Sequence, residues 1–326
     1  MKNENKKYIK KGIIYVVIIL VLSLLWIAPL IRKTGPYPIS PSSDEIAEQL
    51  EVHVRMLSEK IGERSVFQPI QLEAASDYIA HQFNASGYDV EVLPYAALGQ
   101  TFKNIQAVKN GSSEIIIIGA HYDTIEGSPG ADDNAAGIAV LLELARLVEK
   151  LNLNKTVRFV AFSTEEPPFF KSNGMGSLVY ARSARDKAEH IVGMISLEMV
   201  GFYSDELGSQ SYPLWYGLFY PWRGNFIGVI SDFKSRPWNN QVTEALKVST
   251  SVQVESAWGF QSVPGIDWSD HWSFWQQGYP AIMITDTGPY RNPHYHQKTD
   301  TPETLDYNRM AELTEGLAEA LSLLAG

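Results

Sequence analysis

The chain has no cysteine. Disulfides, thiolate metal sites and cysteine nucleophiles are therefore all excluded, and the absence itself chooses no redox compartment. It has no internal repeat and no low-complexity tract, which removes solenoids and arrays from consideration. What remains for 326 residues, 45% of them hydrophobic, is one substantial core, with length enough for two domains. A positive body is also lacking. Residues 1–33 hold seven Lys/Arg against Glu4 alone, and removing that +6 from the formal −10 leaves −16 on the remainder. Such a body repels nucleic acid, so none is expected as a partner, and it attracts cationic groups such as a peptide's free amine.

The N-terminal end differs from the rest. Lys2, Lys6, Lys7, Lys10 and Lys11 precede 12–31, a stretch of 20 residues without a charge. At ~1.5 Å per residue a helix there reaches across a hydrocarbon core of ~30 Å. A cleavable signal has a shorter apolar region and a small-x-small site, and neither is evident. The reading is a basic cytoplasmic tail (1–11), a single-pass anchor in the cell membrane (12–31) and a Pro/Ser-rich linker (32–43). The body (44–326) then lies outside the cytoplasm, because the lysines precede the span.

Within the body, helical spacing covers 44–61, 70–86, 135–150, 240–248 and 302–324. Strand-like runs cover 88–95, 104–108, 114–119, 156–162, 191–197, 226–230 and 281–285. Strands alternating with helices predict a three-layer α/β/α fold on a central mixed, largely parallel sheet.

Chemistry-bearing residues gather at the ends of these strands, where open α/β sheets bind ligands. His121 and Asp123 follow one strand, and two residues apart in extended chain they share a face. Asp132 and Asp133 sit between Gly130 and Gly137 just ahead of a helix. Glu165 and Glu166 are adjacent at another strand end, so that one can bind a metal while the other faces water. Glu198 ends a further strand, and His294, Tyr295 and His296 follow Pro293. Zinc takes imidazole nitrogen and carboxylate oxygen and leaves a position for water in catalytic sites. Two imidazoles and three carboxylates suffice for two ions if one carboxylate bridges, and a fourth is then free to take a proton.

Over about residues 100–326, and more weakly over 44–99, this set resembles the zinc aminopeptidases of the bacterial leucyl aminopeptidase type, grouped with glutamate carboxypeptidases and glutaminyl cyclases. The resemblance implies two Zn²⁺ per chain and a peptide substrate. His121 and Glu198 would bind one ion, Glu166 and His296 the other, and Asp133 would bridge them. Asp133 is chosen over Asp132 for the Asn134 and small residues that follow it, and the Asp133–Asn134 bond is expected to be cis. Glu165 becomes the general base, Asp123 the partner that orients His121, and Tyr295 a polariser of the substrate carbonyl. His296 is preferred to His294 because Asp300-Thr301 stands four residues after it. Two departures stand out: Glu198 replaces the usual Asp, and 167–175 is longer and more aromatic than usual.

Phe169 and Phe170 are candidates to wall the substrate pocket. Trp215, Phe219, Trp222, Trp258, Phe260, Trp268, Trp272 and Trp275 either form a large apolar pocket or fill the core. Two other functions share the pattern. A single-zinc glutaminyl cyclase would use position 198 as an acid–base group, and residues 269–274 resemble its Asp-Asp-His-x-Pro-Phe segment without the first Asp and the Pro. A membrane-tethered binding ectodomain would have lost ligands, and none is lost here. Nothing in the sequence specifies an oligomeric state.

Overall fold

The computed structural model describes residues 11–23 and 43–326. Residues 11–23 form a helix, α1, whose side chains are exposed. The remainder of the expected tail, anchor and linker lies outside the described residues. Among those described, no helix is long and apolar enough to cross a membrane.

The body is built on one sheet of eight strands: β1 (Val90–Ala97), β2 (Gln100–Lys109), β3 (Ser112–His121), β4 (Lys155–Phe162), β5 (His190–Glu198), β6 (Phe226–Asp232), β7 (Gln253–Gly259) and β8 (Ala281–Thr285). Their order is β1-β2-β4-β3-β5-β8-β6-β7. The central run β4-β3-β5-β8 is parallel, as is β6 with β7. The pairs β1–β2, β2–β4 and β6–β8 are antiparallel. The sheet is thus mixed, with its parallel strands at the centre.

Strand β3 shows why both faces are covered. Ile116, Ile118 and Ala120 enter one core, and Ile115 and Ile117, pointing the other way, enter a second. A period of two on a sheet buried on both sides reads as an unbroken apolar run. Each isoleucine so buried contributes roughly 1.5–3 kcal/mol before entropy is counted. The larger core is closed by helices α2 (Ser43–Arg55), α3 (Pro69–Ala85), α4 (Gly137–Glu149), α6 (Arg236–Ser249) and α8 (Tyr307–Ala325). The smaller is closed by α5 (Gly176–Asp186) and α7 (His271–Gln276).

Several expectations need correction. The helix expected over 44–61 is α-helical only to Arg55, and Met56–Ile61 is a π-helical turn. The last helix starts at Tyr307, after a separate 3-10 turn at Pro302–Thr304. Helices α5 and α7 and strand β7 have no counterpart in the sequence reading. Strand β7, QVESAWG, alternates polar and apolar residues only weakly because it is an edge strand with half-buried positions.

Candidate metal centre

The sheet brings the motifs together. β4, β3 and β5 lie side by side and parallel, so their C-terminal ends meet at one rim. His121 is the last residue of β3, Glu198 the last of β5, and Glu165 and Glu166 follow β4 by three and four residues.

Asp123 locks two of these ends. Its Oδ1 and Oδ2 accept the backbone N–H groups of Glu165 and Glu166, each at 3.1 Å. Its backbone oxygen lies 3.2 Å from His121 Nδ1. A carbonyl only accepts, so Nδ1 carries the proton and Nε2 turns its lone pair inward. Orientation of His121 by Asp123 was expected. The main-chain oxygen makes the contact, and the carboxylate stands 3.6 Å away.

The 130–137 turn is held from several sides. The backbone N–H groups of Asp132 and Asp133 donate to the two oxygens of Asp300, at 2.9 and 3.1 Å. Asn134 donates to the Leu197 carbonyl at 2.9 Å and accepts the Met199 N–H at 3.1 Å, tying the turn to the end of β5. Gly137 must be glycine, since a Cβ there would lie 2.3 Å from Asn134 Oδ1 and 2.8 Å from the Leu197 carbonyl oxygen. The Asp133–Asn134 bond is cis, as expected. Asp132 faces away from Asp133's neighbours, accepting from Gly201 N–H at 2.9 Å and Asn292 at 2.7 Å.

Asp133 stands between two histidines. Its Oδ1 is 3.4 Å from His121 Nε2, and its Oδ2 is 3.3 Å from His296 Nε2. Glu198 Oε2 is 3.3 Å from His121 Nε2, and Glu166 Oε1 is 3.4 Å from His296 Nε2. The two groups, His121–Asp133–Glu198 and Asp133–Glu166–His296, each offer three donor atoms within 4.8 Å of one another.

Two features fit a cation at this cluster. His121 Nε2 and Glu166 Oε1 are buried without a well-aligned hydrogen bond. Buried carboxylates also crowd together. Burial, followed by neighbouring carboxylates, raises Glu165 well above its ordinary range and Glu166 to about 7. Burial raises Glu198 too. Asp133 moves the other way: burial opposes its charge, but the flanking histidines outweigh burial and hold it low. For His296 burial opposes the charged form, yet Asp133 and Glu166 carry it up to about 10. Positive charge is what this cluster demands, and its nitrogen and carboxylate donors are those of zinc.

Glu165 lines the same cavity but belongs to neither triad. Tyr295 lines it too, its ring stacked 3.7 Å from that of His296. Burial, then the surrounding carboxylates, keeps its phenol protonated. His294 is a bystander, paired with Thr299 at 2.9 Å. Phe170 lines the cavity, whereas Phe169 packs on Phe102 in the core. Of the eight aromatics of the later half, only Trp268 lines the cavity. Trp215, Phe219, Trp258 and Phe260 are exposed, so neither a pocket nor a core accounts for them.

Sequence reasoning missed Arg64, and it noted Asp270 only within the 269–274 segment, without a place at this cluster. Arg64 is fully buried and donates to the carbonyls of Leu57, Gly62, Tyr122, Pro129 and Gly130, which fastens the loop after β3 to the start of the turn. It lies in 44–99, where no motif draws attention to a single arginine. Asp270, buried and raised to about 7 by burial, stands near His121 and Glu198. Next to it Ser269 donates to Glu198 at 2.7 Å. Only their polarity within an aromatic segment marked them.

Fold and site together define a metallohydrolase. Residues 104–321 match Peptidase family M28, and the chain belongs to that family: it is a metallopeptidase. It is 40% identical to YfbL of Escherichia coli (strain K12) over 95% of this chain and 98% of that one. It is 29% identical to Leucine aminopeptidase 1 of Ajellomyces dermatitidis over 68% of this chain, and spans 56% of that protein's length. The fold is shared with BSAP, a zinc aminopeptidase from Bacillus subtilis (TM-score 0.68, 16% identity, 89% of this chain and 97% of that one). It is shared also with a Bacteroides thetaiotaomicron glutaminyl cyclase (TM-score 0.65, 19% identity, 88% of this chain and 99% of that one).

Proposed function

We propose that this metallopeptidase is a two-zinc aminopeptidase that removes N-terminal residues from peptides. The observation that carries it is Asp133, whose two oxygens face two different histidines, each backed by its own glutamate. His121 and Glu198 would hold one ion, Glu166 and His296 the other, with Asp133 shared. Zinc bound there supplies Lewis acidity and an acidified water. Glu165, aimed by the N–H clamp of Asp123, takes a proton from the water and later delivers it to the leaving amine. The hydroxyl joins the carbonyl carbon, the C–N bond breaks and the amine leaves with the proton. Tyr295, protonated, donates to the carbonyl oxygen as charge develops on it. A substrate with a free amine is in keeping with the distant relatives named leucine aminopeptidases.

We place this body outside the cytoplasm, tethered through residues 12–31. The five lysines ahead of that uncharged stretch support the orientation.

The test is a substrate panel with metal analysis. Purified full-length protein should carry two zinc ions per chain, cleave aminoacyl anilides and spare their N-acetylated forms. Cyclisation of N-terminal glutamine with one zinc per chain would replace this reading with a glutaminyl cyclase.

A further inference from the structure

We propose that an aromatic and basic patch around Trp258 docks the body onto an anionic phospholipid surface. The inference rests on the tether placed at residues 12–31 and not on the aminopeptidase reading. Residues 209–222 and 256–266 carry no charge. The fold lays the first segment against the second. Tyr220 Oη donates to the Ser256 carbonyl at 2.8 Å, and a Cβ on Gly259 would stand 2.7 Å from Tyr216 Oη. Phe233 joins them, its ring 5.2 Å from that of Trp258 and 4.7 Å from that of Phe260. Leu214, Trp215, Phe219, Phe233, Trp258 and Phe260 are left exposed, Phe260 by 69% and Trp215 by 63%. Apolar residues exposed singly need no explanation, but a cluster on adjoining segments marks an interaction surface.

The exposed charge on the patch is of one sign. Lys234 and Arg236 are exposed beside Phe233, and the Arg236 guanidinium lies 4.2 Å from the centre of a Trp258 ring. Asp232 is buried and accepts from the Ser235 N–H at 2.8 Å and Gln261 Nε2 at 3.0 Å. Glu255, at the border, is half-buried and accepts from Gln253 Nε2 at 2.7 Å. On a body that is acidic as a whole, this face is cationic.

Aromatic rings suit the headgroup level of a bilayer, where one end is apolar and the other wet, and Lys/Arg beside them meet lipid phosphate. The chain brings that surface within reach. Residues 32–42, read as the linker, span at most ~40 Å when fully extended. Helix α2 begins at Ser43, on the side of the molecule that carries the patch. Asp44 lines one cleft with Tyr203, and Ser204 next to it pairs with Gly224, at the base of the loop that bears Trp215 and Phe219. A tether this short raises the effective concentration of lipid at the patch, so even a weak contact is populated. Tyr216 also lines a cavity that reaches Glu198, so the docked face adjoins the metal centre.

Because the chain lacks cysteine, Phe260→Cys creates a single labelling site. The full chain, with an environment-sensitive fluorophore there, is placed in nanodiscs of phosphatidylcholine with or without phosphatidylglycerol, a fraction of the lipid carrying a nitroxide. With phosphatidylglycerol the label should shift to the blue and be quenched by the nitroxide. A label at Val248→Cys, about 18 Å along α6 from Arg236, should stay aqueous in both. Lys234→Gln with Arg236→Gln should lower the docked-to-free ratio by about 30-fold, the effect of two cations near an anionic surface. A label at 260 that stays aqueous, on a chain that co-purifies with the discs, overturns the inference and leaves the tether standing. Equal quenching in phosphatidylcholine alone, or in the doubly substituted variant, also overturns it. A blue shift that grows with protein concentration in detergent, without nitroxide quenching, assigns the patch to a second copy and overturns it too. A chain that does not co-purify with the discs overturns tether and inference together.

Discussion

Asp123 Oδ1 accepts the backbone N–H of Glu165 at 3.1 Å, across 42 residues of sequence. With the Glu166 N–H on Oδ2, one buried carboxylate sets the direction in which the chain leaves β4. It thereby fixes Glu166 beside Asp133 and His296 while Glu165 stays outside both triads. A group that orients others in this way costs about 10–100-fold in activity or metal affinity when altered. Asp123→Asn retains one acceptor and puts an N–H against the other donor. We expect kcat to fall by about that factor while zinc stays bound. Unchanged kcat, measured alongside zinc content, would refute the clamp.

Glu165→Gln should keep zinc and lose about 10²–10⁴-fold in kcat, the scale of a general acid–base group. Glu166→Gln should lose zinc as well. Activity and metal content of the pair reveal whether the two roles are reversed.

Asp133→Ala should lower zinc at both positions, because its two oxygens serve both histidines. His121→Ala and His296→Ala should each deplete mainly one. Metal analysis of the three variants decides the matter, and an Asp133→Ala protein holding two zinc ions would sink the shared-ligand assignment.

Acid should weaken the fold through His271. Burial lowers its imidazole from 6.5 to about 4, and its Nε2 faces the Ile266 carbonyl at 2.8 Å. Between those values the unfolded chain binds a proton that the folded one refuses. The neutral ring's contribution is therefore present above pH 6.5 and lost as pH falls towards 4. Between pH 7 and 5 the loss from this one group is about 2 kcal/mol. Denaturant melts of wild type and His271→Gln at both pH values should differ by that amount. Equal pH dependence in the two proteins would argue against the buried neutral ring.

The topology proposal predicts that protease added to intact cells, or to spheroplasts where an outer membrane is present, digests the catalytic body. Protection of the body until lysis would reverse the orientation.

Much of this was legible before any coordinates. The isoleucine run of β3, the apolar face of α4 and the histidine or carboxylate that ends or follows a strand at 121, 165 and 198 implied an α/β sheet with its site at one rim. They do so because periodicity and burial are local consequences of backbone geometry. The candidate donors His121, Asp133, Glu166, Glu198 and His296 were named from their motifs, with Asp133 chosen over Asp132 and His296 over His294 from the family resemblance. The antiparallel edges, strand β7 and helices α5 and α7 were not legible, because an edge strand and a short covering helix carry little periodicity of their own.

The sequence by itself determined which side chains are chemically fit to bind a metal and move a proton, since donor type belongs to each residue. Only the tertiary structure decided how they are aimed. Arg64, Asp300 and Asn134 act on backbone groups, and the rim that joins His121 to Glu198 exists only through strand register. Neither depends on neighbours in sequence: hydrogen bonds and register join residues that the fold, not the chain, makes adjacent.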